Sequence, residues 1–168
     1  FDSVPFINGP SYMEIGVCND CNISCQYCFE HSSSKIKYYK EEDRIYFNAK
    51  MEEETFRRLI DELADLGNKV IRFVGRGESF MHPRFIDMCA YAIKKGQTCG
   101  ITSNGTLINK EQAMAIVDLG VRKIDISIGA AQALTYRELT GGDAETFERI
   151  FDTIRMISEY KKKKNTSL

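Results

Sequence analysis

Four times along this chain a short apolar or β-branched run leads through a loop into a helix-period pattern, and no hairpin turn joins any two of the runs. Met13 to Val17 reads as the first strand, Lys69 to Val74 as the second, Thr98 to Thr102 as the third and Val121 to Ile128 as the fourth. Between them, Glu53 to Leu66 places Phe56, Leu59, Ile60, Leu63 and Leu66 at helical spacing, starts with acids that suit a helix N-terminus and stops at Gly67. A second helix is opened by Pro83 and closed at Gly96. A third is capped by Asn109 and runs with Ala113, Ile116 and Val117 inward to Gly120. The fourth, Glu145 to Tyr160, turns Phe147, Ile150, Phe151, Ile154 and Ile157 inward, and Lys161 to Lys164 balance its C-terminus. Residues 32–50 show no clean period and read as an irregular connection.

Strands that alternate with helices imply parallel βα units with right-handed crossovers, so the class is α/β. In such sheets and barrels ligands collect at the carboxyl ends of the strands. The unusual residue clusters of this chain all fall there: Cys18, Cys21, Cys25 and Cys28 after the first strand, Gly75-Arg76-Gly77-Glu78 after the second, Ser103-Asn104-Gly105 after the third, and Ser127 with Gly129 at the end of the fourth. Four clusters on one rim point to one shared site.

With 168 residues, 43% hydrophobic and 28% charged, the chain buries a core without needing staples. A net charge of -1 supplies no positive field for a phosphate backbone, so nucleic acid is not indicated. No apolar stretch is long enough to cross a bilayer, and Phe1 to Pro10 lack the basic-then-apolar order of a signal peptide, which gives a cytoplasmic expectation. A first residue other than Met is consistent with a processed chain or an excised piece.

Of the six cysteines, Cys89 and Cys99 lie in apolar settings and read as core filler. The other four fall within eleven residues, which without an export signal reads as metal or redox chemistry rather than disulfides. Cys21, Cys25 and Cys28 follow the pattern C-x3-C-x2-C, which lets three thiolates of one loop converge on a metal centre. Soft thiolates suit zinc, copper(I) or iron–sulfur clusters. One alternative is a zinc-binding interaction module, in which Cys18 joins Cys21, Cys25 and Cys28 to close on a single structural zinc. The other is a cluster held by three thiolates, with one iron left open to a substrate or cofactor.

The run Cys21-Asn22-Ile23-Ser24-Cys25-Gln26-Tyr27-Cys28 resembles the cluster motif of radical S-adenosylmethionine (SAM) enzymes, including the aromatic before the last cysteine. The resemblance covers most of the chain and is nearest to the subgroup that often carries a C-terminal SPASM domain. It implies a partial (β/α)6 TIM-like barrel, with about four βα units here, residues 1–168 forming the core domain with its C-terminal strands still to come. It also implies a [4Fe–4S] cluster on Cys21, Cys25 and Cys28, and SAM as the second cofactor. In the family a reduced cluster cleaves SAM into methionine and a 5′-deoxyadenosyl radical, which takes hydrogen from a substrate. Here that substrate is expected to be a peptide or a small metabolite, with an external reductant such as flavodoxin or ferredoxin.

By the same resemblance Gly77 and Glu78 hold the methionyl ammonium, Ser103 and Asn104 lie near the SAM ribose and carboxylate, Ser127 belongs to the fourth-strand serine segment, and Tyr27 packs near the adenine. The chain departs from the family at Arg76 (a glycine elsewhere), Ser79 (a proline), Cys18 (a threonine) and Gly129 (an aspartate). Cys18 is therefore expected in the core of the first strand. Arg137 reads as a solvated residue of a helix entry, and His82 as a loop or cap residue, while His31 lies near the rim as a ligand or proton-carrier candidate. With only four units, the edge of the fourth strand is expected either to pair with a second copy or to continue into further segments of a longer enzyme.

Overall fold

A computed structural model describes residues 9–165; residues 1–8 and 166–168, and with them most of the segment inspected for an export signal, lie outside the described residues. Among the described residues four strands, β1 (Tyr12–Ile15), β2 (Val70–Phe73), β3 (Thr98–Ser103) and β4 (Lys123–Ile126), form one sheet in the order β1-β2-β3-β4 with every pairing parallel. The helices are α1 (Ser33–Ile36), α2 (Arg44–Phe47), α3 (Glu53–Asp65), α4 (Phe85–Lys94), α5 (Lys110–Asp118), α6 (Ala133–Thr140) and α7 (Ala144–Lys164).

The period of two along each strand decides what kind of sheet this is. Ile15, Ile71, Phe73, Cys99 and Ile101 are buried and share one core with Phe56, Ile60 and Leu63 of α3, Phe85, Met88, Cys89 and Ala92 of α4, and Ala113, Ile116 and Val117 of α5. The alternate residues Glu14, Arg72, Gly100 and Lys123 stand in register across the other face, which is polar and partly exposed. Strand order that never reverses, with the helices burying a single face, is the geometry of a barrel wall rather than a doubly wound sheet. The α/β class and the barrel-type path expected from the sequence are both present.

The helix ends follow the sequence signals. Asn109 caps α5 through a reciprocal capping box with Gln112, and Asp143 caps α7 by accepting from the Thr146 amide at 2.8 Å. The lysine run does more than solvate, because it lies inside α7 and Lys164 reaches Asp118 of α5 at 2.8 Å. Two regions differ from expectation. Residues 32–50 contain α1, a 3-10 turn over Glu41–Asp43 and α2, all too short to show a period. The segment between β4 and α7 contains α6, a helix absent from the four-helix reading. Only Tyr136 and Thr140 of α6 are buried, so it carries no apolar stripe.

Candidate metal and cofactor site

The loop after β1 carries the three motif cysteines, and the helix that sequence reasoning missed holds it in place. The last carbonyls of a helix have no donor within it. Those of α6 are taken by the cysteine loop: Ser24 N donates to Thr140 O at 3.1 Å, Gln26 N to Leu139 O at 2.7 Å and Gln26 Nε2 to Glu138 O at 2.6 Å. Within the loop Cys28 N donates to Cys25 O at 2.9 Å, and the His31 amide donates to Cys28 Sγ at 3.2 Å. The signal for α6 lay at its end, where Gly141 takes a φ of +74° and closes the helix.

The loop after β2 lies directly on this one. Gly77 N donates to Cys18 O at 3.2 Å and Glu78 N to Asp20 O at 2.8 Å. A Cβ on Gly77 would fall 2.1 Å from Asp20 O, so glycine is required there by the cysteine loop. Glu78 then ties in the loop after β3. Its carboxylate accepts from Phe80 N at 3.1 Å, Ser103 Oγ at 2.9 Å and Asn104 N at 2.7 Å, while only 3% of the residue is exposed. Burial raises its pKa above the ordinary 4.5, against the opposing pull of those three hydrogen bonds. A carboxylate has about four acceptor sites, so one remains for a ligand.

Cys21, Cys25, Cys28, Tyr27, Gly77, Glu78, Ser103, Asn104 and Ser127 all line one cavity of about 220 Å³, together with Thr102 and residues 74–76. Every cofactor and metal residue expected from the sequence is thus brought together at the carboxyl end of the sheet. Their availability differs. Ser127 is exposed, whereas Ser103 donates to Glu78 and accepts from Gly105 N at 3.0 Å. The Asn104 side chain is bonded to Asn22, Thr106 and the Cys21 sulfur. Sequence reasoning missed Asn22 and Thr106, because the hydrogen bond that joins them spans 84 residues.

Tyr27 is 59% exposed, which excludes plain core packing. Its hydroxyl end is tucked against Gly129, where a Cβ would lie 2.2 Å from Oη and where φ is +72°. Both facts demand glycine and account for the departure from the family's aspartate. Burial of that hydroxyl, then its hydrogen bond with Cys25, push the phenol up to about 12. Burial likewise pushes the Cys21 thiol up to about 11 and raises that of Cys25, partly offset by the Tyr27 hydrogen bond.

The remaining candidates fall outside this constellation. Cys18 is 3% exposed, buried as expected but not within the first strand: β1 ends at Ile15, and Cys18 directs its thiol to Asp20 O and pairs with Lys50 in an isolated antiparallel bridge. It does not line the cavity. Among the described residues no three Cys, His, Asp or Glu side chains are gathered closely enough to hold one metal ion. Cys21, Cys25 and Cys28 are all free thiols. Cys89 and Cys99 are buried in the main core, as expected.

His82 is a structural residue: Nδ1 accepts from Arg84 N at 3.1 Å, so Nε2 carries the proton donated to Met51 O at 3.0 Å. The buried His31 ring lies edge-on to Phe47 and outside the cavity, and its Nε2 has no hydrogen-bond partner among the described residues. Arg137 is exposed in the last turn of α6 rather than at a helix entry. Arg76 has a structural use: its guanidinium lies 4.8 Å over the Tyr46 ring and 3.6 Å from Glu30, anchoring the 32–50 connection beside the site.

The sequence pattern of the radical SAM superfamily matches residues 15–168. The chain belongs to this superfamily. The radical SAM chain is 30% identical over 118 residues to a tungsten-containing aldehyde ferredoxin oxidoreductase cofactor-modifying protein of Pyrococcus furiosus, which covers 70% of this chain and 30% of that protein. It is 29% identical over 147 residues to an AdoMet-dependent heme synthase of Nitratidesulfovibrio vulgaris, covering 82% and 37% of the two chains. It therefore spans about a third of the length of these relatives. Among solved structures, Streptococcus suis SuiB bound to S-adenosylmethionine superposes with a TM-score of 0.72 at 16% identity, over 91% of this chain and 32% of that one. Native anSMEcpe with bound AdoMet gives 0.67 at 19% identity, over 89% and 41%. These likenesses place the fold among partial barrels of radical SAM enzymes. Among the described residues no helix is long and apolar enough to cross a membrane.

Proposed function

We propose that Cys21, Cys25 and Cys28 hold a [4Fe–4S] cluster with one iron free of protein ligands, and that this iron and the adjoining cavity bind SAM for reductive cleavage to methionine and a 5′-deoxyadenosyl radical. The observation that carries this reading is that the three motif thiols and Glu78, at least 50 residues from any of them in sequence, line a single cavity that Cys18 does not reach. The cluster supplies one electron to the carbon–sulfur bond of SAM; the protein's part is to bind, orient and shield.

The work of the chain is divided among its loops. Glu78 offers its last acceptor position to the methionyl ammonium, a charge-assisted bond in a buried setting. Gly77 contributes backbone beside it. Ser127, exposed on the cavity wall, is available to the ribose or carboxylate. Ser103 and Asn104 serve this reading chiefly by fixing Glu78 and the cysteine loop, since their side chains are already bonded. Tyr27 lies against Cys25 and forms the edge on which the adenine packs.

The substrate reaches the radical from the polar face of the sheet, where Arg72 bonds Thr102 Oγ1 and Asp125 at 3.1 Å each and lies 3.8 Å from Glu14. A face of paired charges suits a polar metabolite or a peptide, and an external flavodoxin or ferredoxin supplies the electron. Release of 5′-deoxyadenosine from SAM under dithionite, by anaerobically reconstituted protein, tests the reading. Cleavage that needs Cys21, Cys25 and Cys28 but not Cys18 supports it. A cluster-loaded protein that binds no SAM contradicts it.

A further inference from the structure

Three side chains from two loops close a hydrogen-bonded ring beside the cysteines. Asn22 Nδ2 donates to Thr106 Oγ1 at 2.7 Å, Thr106 Oγ1 donates to Asn104 Oδ1 at 2.8 Å, and Asn104 Nδ2 donates back to Asn22 Oδ1 at 2.9 Å. The direction of the ring is fixed from outside it. Asn104 Oδ1 also accepts from the Thr106 backbone amide at 3.0 Å, and an amide N–H can only donate, so the Asn104 carboxamide cannot be turned over. Its nitrogen must then face the cysteine loop, where Nδ2 lies 4.0 Å from Cys21 Sγ. All four hydrogen-bonding positions of the Asn104 side chain are used, and both Asn104 and Thr106 are buried.

We infer that Asn22, Asn104 and Thr106 are positioning residues which clamp the cysteine loop to the loop after β3 and aim the Asn104 N–H at the Cys21 sulfur. This rests on the cluster assignment above for its second half only. A donor aimed at a cluster ligand stabilises the reduced cluster, which carries one more negative charge, and so raises the reduction potential. The His31 amide, 3.2 Å from Cys28 Sγ, gives the same help from the backbone. Asn104 thus acts on SAM through the cysteine loop rather than by touching it.

Two variants test this without altering a cysteine. Thr106→Val keeps the shape and removes the hydroxyl that links the two asparagines, and Thr106→Ser restores it. Asn22→Ala breaks the ring at an exposed position where folding is not at stake. In the cluster-free protein either variant should speed hydrogen exchange of the amides of residues 21–28 about tenfold, the order expected for losing one hydrogen bond. In reconstituted protein without SAM, both should keep about four irons while the reduced-to-oxidised ratio at a fixed potential falls about tenfold, or about 59 mV for one electron. Thr106→Ser should return both values.

Unchanged exchange together with an unchanged potential would overturn the inference. So would an effect of Thr106→Val confined to SAM affinity, which would make Asn104 a direct SAM contact. If the wild-type protein assembles no four-iron cluster, the cluster assignment fails, and the exchange measurement still decides the clamp on its own.

Discussion

Cys18 and Cys21 are three positions apart and of the same type, yet they do opposite things. Cys18 lies buried three residues past β1 with its thiol turned to a backbone carbonyl, and Cys21 belongs to the loop that lines the cavity. Single replacement of Cys21, Cys25 or Cys28 by Ala should therefore drop the iron content from about four per chain to near zero. Cys18→Ala should retain the iron while lowering stability by about 1 kcal/mol for a small buried side chain. Colorimetric iron and sulfide analysis after anaerobic reconstitution checks both.

Glu78 is the second residue with a dual part. Replacing it by Gln sets an NH2 group against either the Asn104 amide or the Phe80 and Ser103 donors, so stability should fall by about 1–3 kcal/mol in urea unfolding. Its pH dependence has a definite sign. The folded-state pKa lies above 4.5, so the neutral carboxyl contributes stability that is present below 4.5 and is lost as pH rises through the raised value. SAM affinity should run the other way and tighten over that same interval, because the ammonium prefers the ionised carboxylate. Calorimetric titrations at a series of pH values should show a proton released on binding, and an affinity independent of pH would remove Glu78 from the ammonium site.

At the scale of elements, the strands and the long helices were legible because their buried faces repeat: Phe56, Ile60 and Leu63 of α3, or Ile71 and Phe73 of β2, are spaced as a helix and a strand require. The gathering of the cavity residues was legible for a topological reason, since parallel strands bring all their following loops to one rim. What stayed hidden depends on partners distant in sequence. The use of α6 appears only when its carbonyls meet the cysteine loop, and Asn22 looks like an ordinary loop residue until Thr106 is beside it.

Two helix-end substitutions separate stability from site integrity. Asn109→Ala removes the α5 cap and should cost about 1 kcal/mol with iron retention unchanged. Gly141→Ala strains the left-handed end of α6 and should cost about 1 kcal/mol as well. Unlike the α5 variant, it should also speed iron loss to a chelator, because the displaced carbonyls are those that hold Ser24 and Gln26. Equal chelation rates in the two variants would show that α6 does not support the loop.

Over the whole molecule, three kinds of surface lie in sequence along the barrel wall. The outer face is the helix-covered core, the inner face is lined by Glu14, Arg72, Lys123 and Asp125, and the rim holds the thiols. Among the described residues β4 pairs only with β3, and an apolar groove formed by Ile124, Ile126, Ile154 and Ile157 runs beside it. At the rim, backbone bonds join the loops after β1 and β2, and the Glu78 carboxylate joins these to the loop after β3. We propose that these thiols hold a cube whose fourth iron is open to SAM. Electron paramagnetic resonance of the dithionite-reduced, reconstituted protein tests it most directly. The expected result is a [4Fe–4S]+ signal whose shape changes when SAM is added, in the wild type and in Cys18→Ala alike. A signal indifferent to saturating SAM, or an iron-free protein holding one zinc that depends on Cys18, would contradict it.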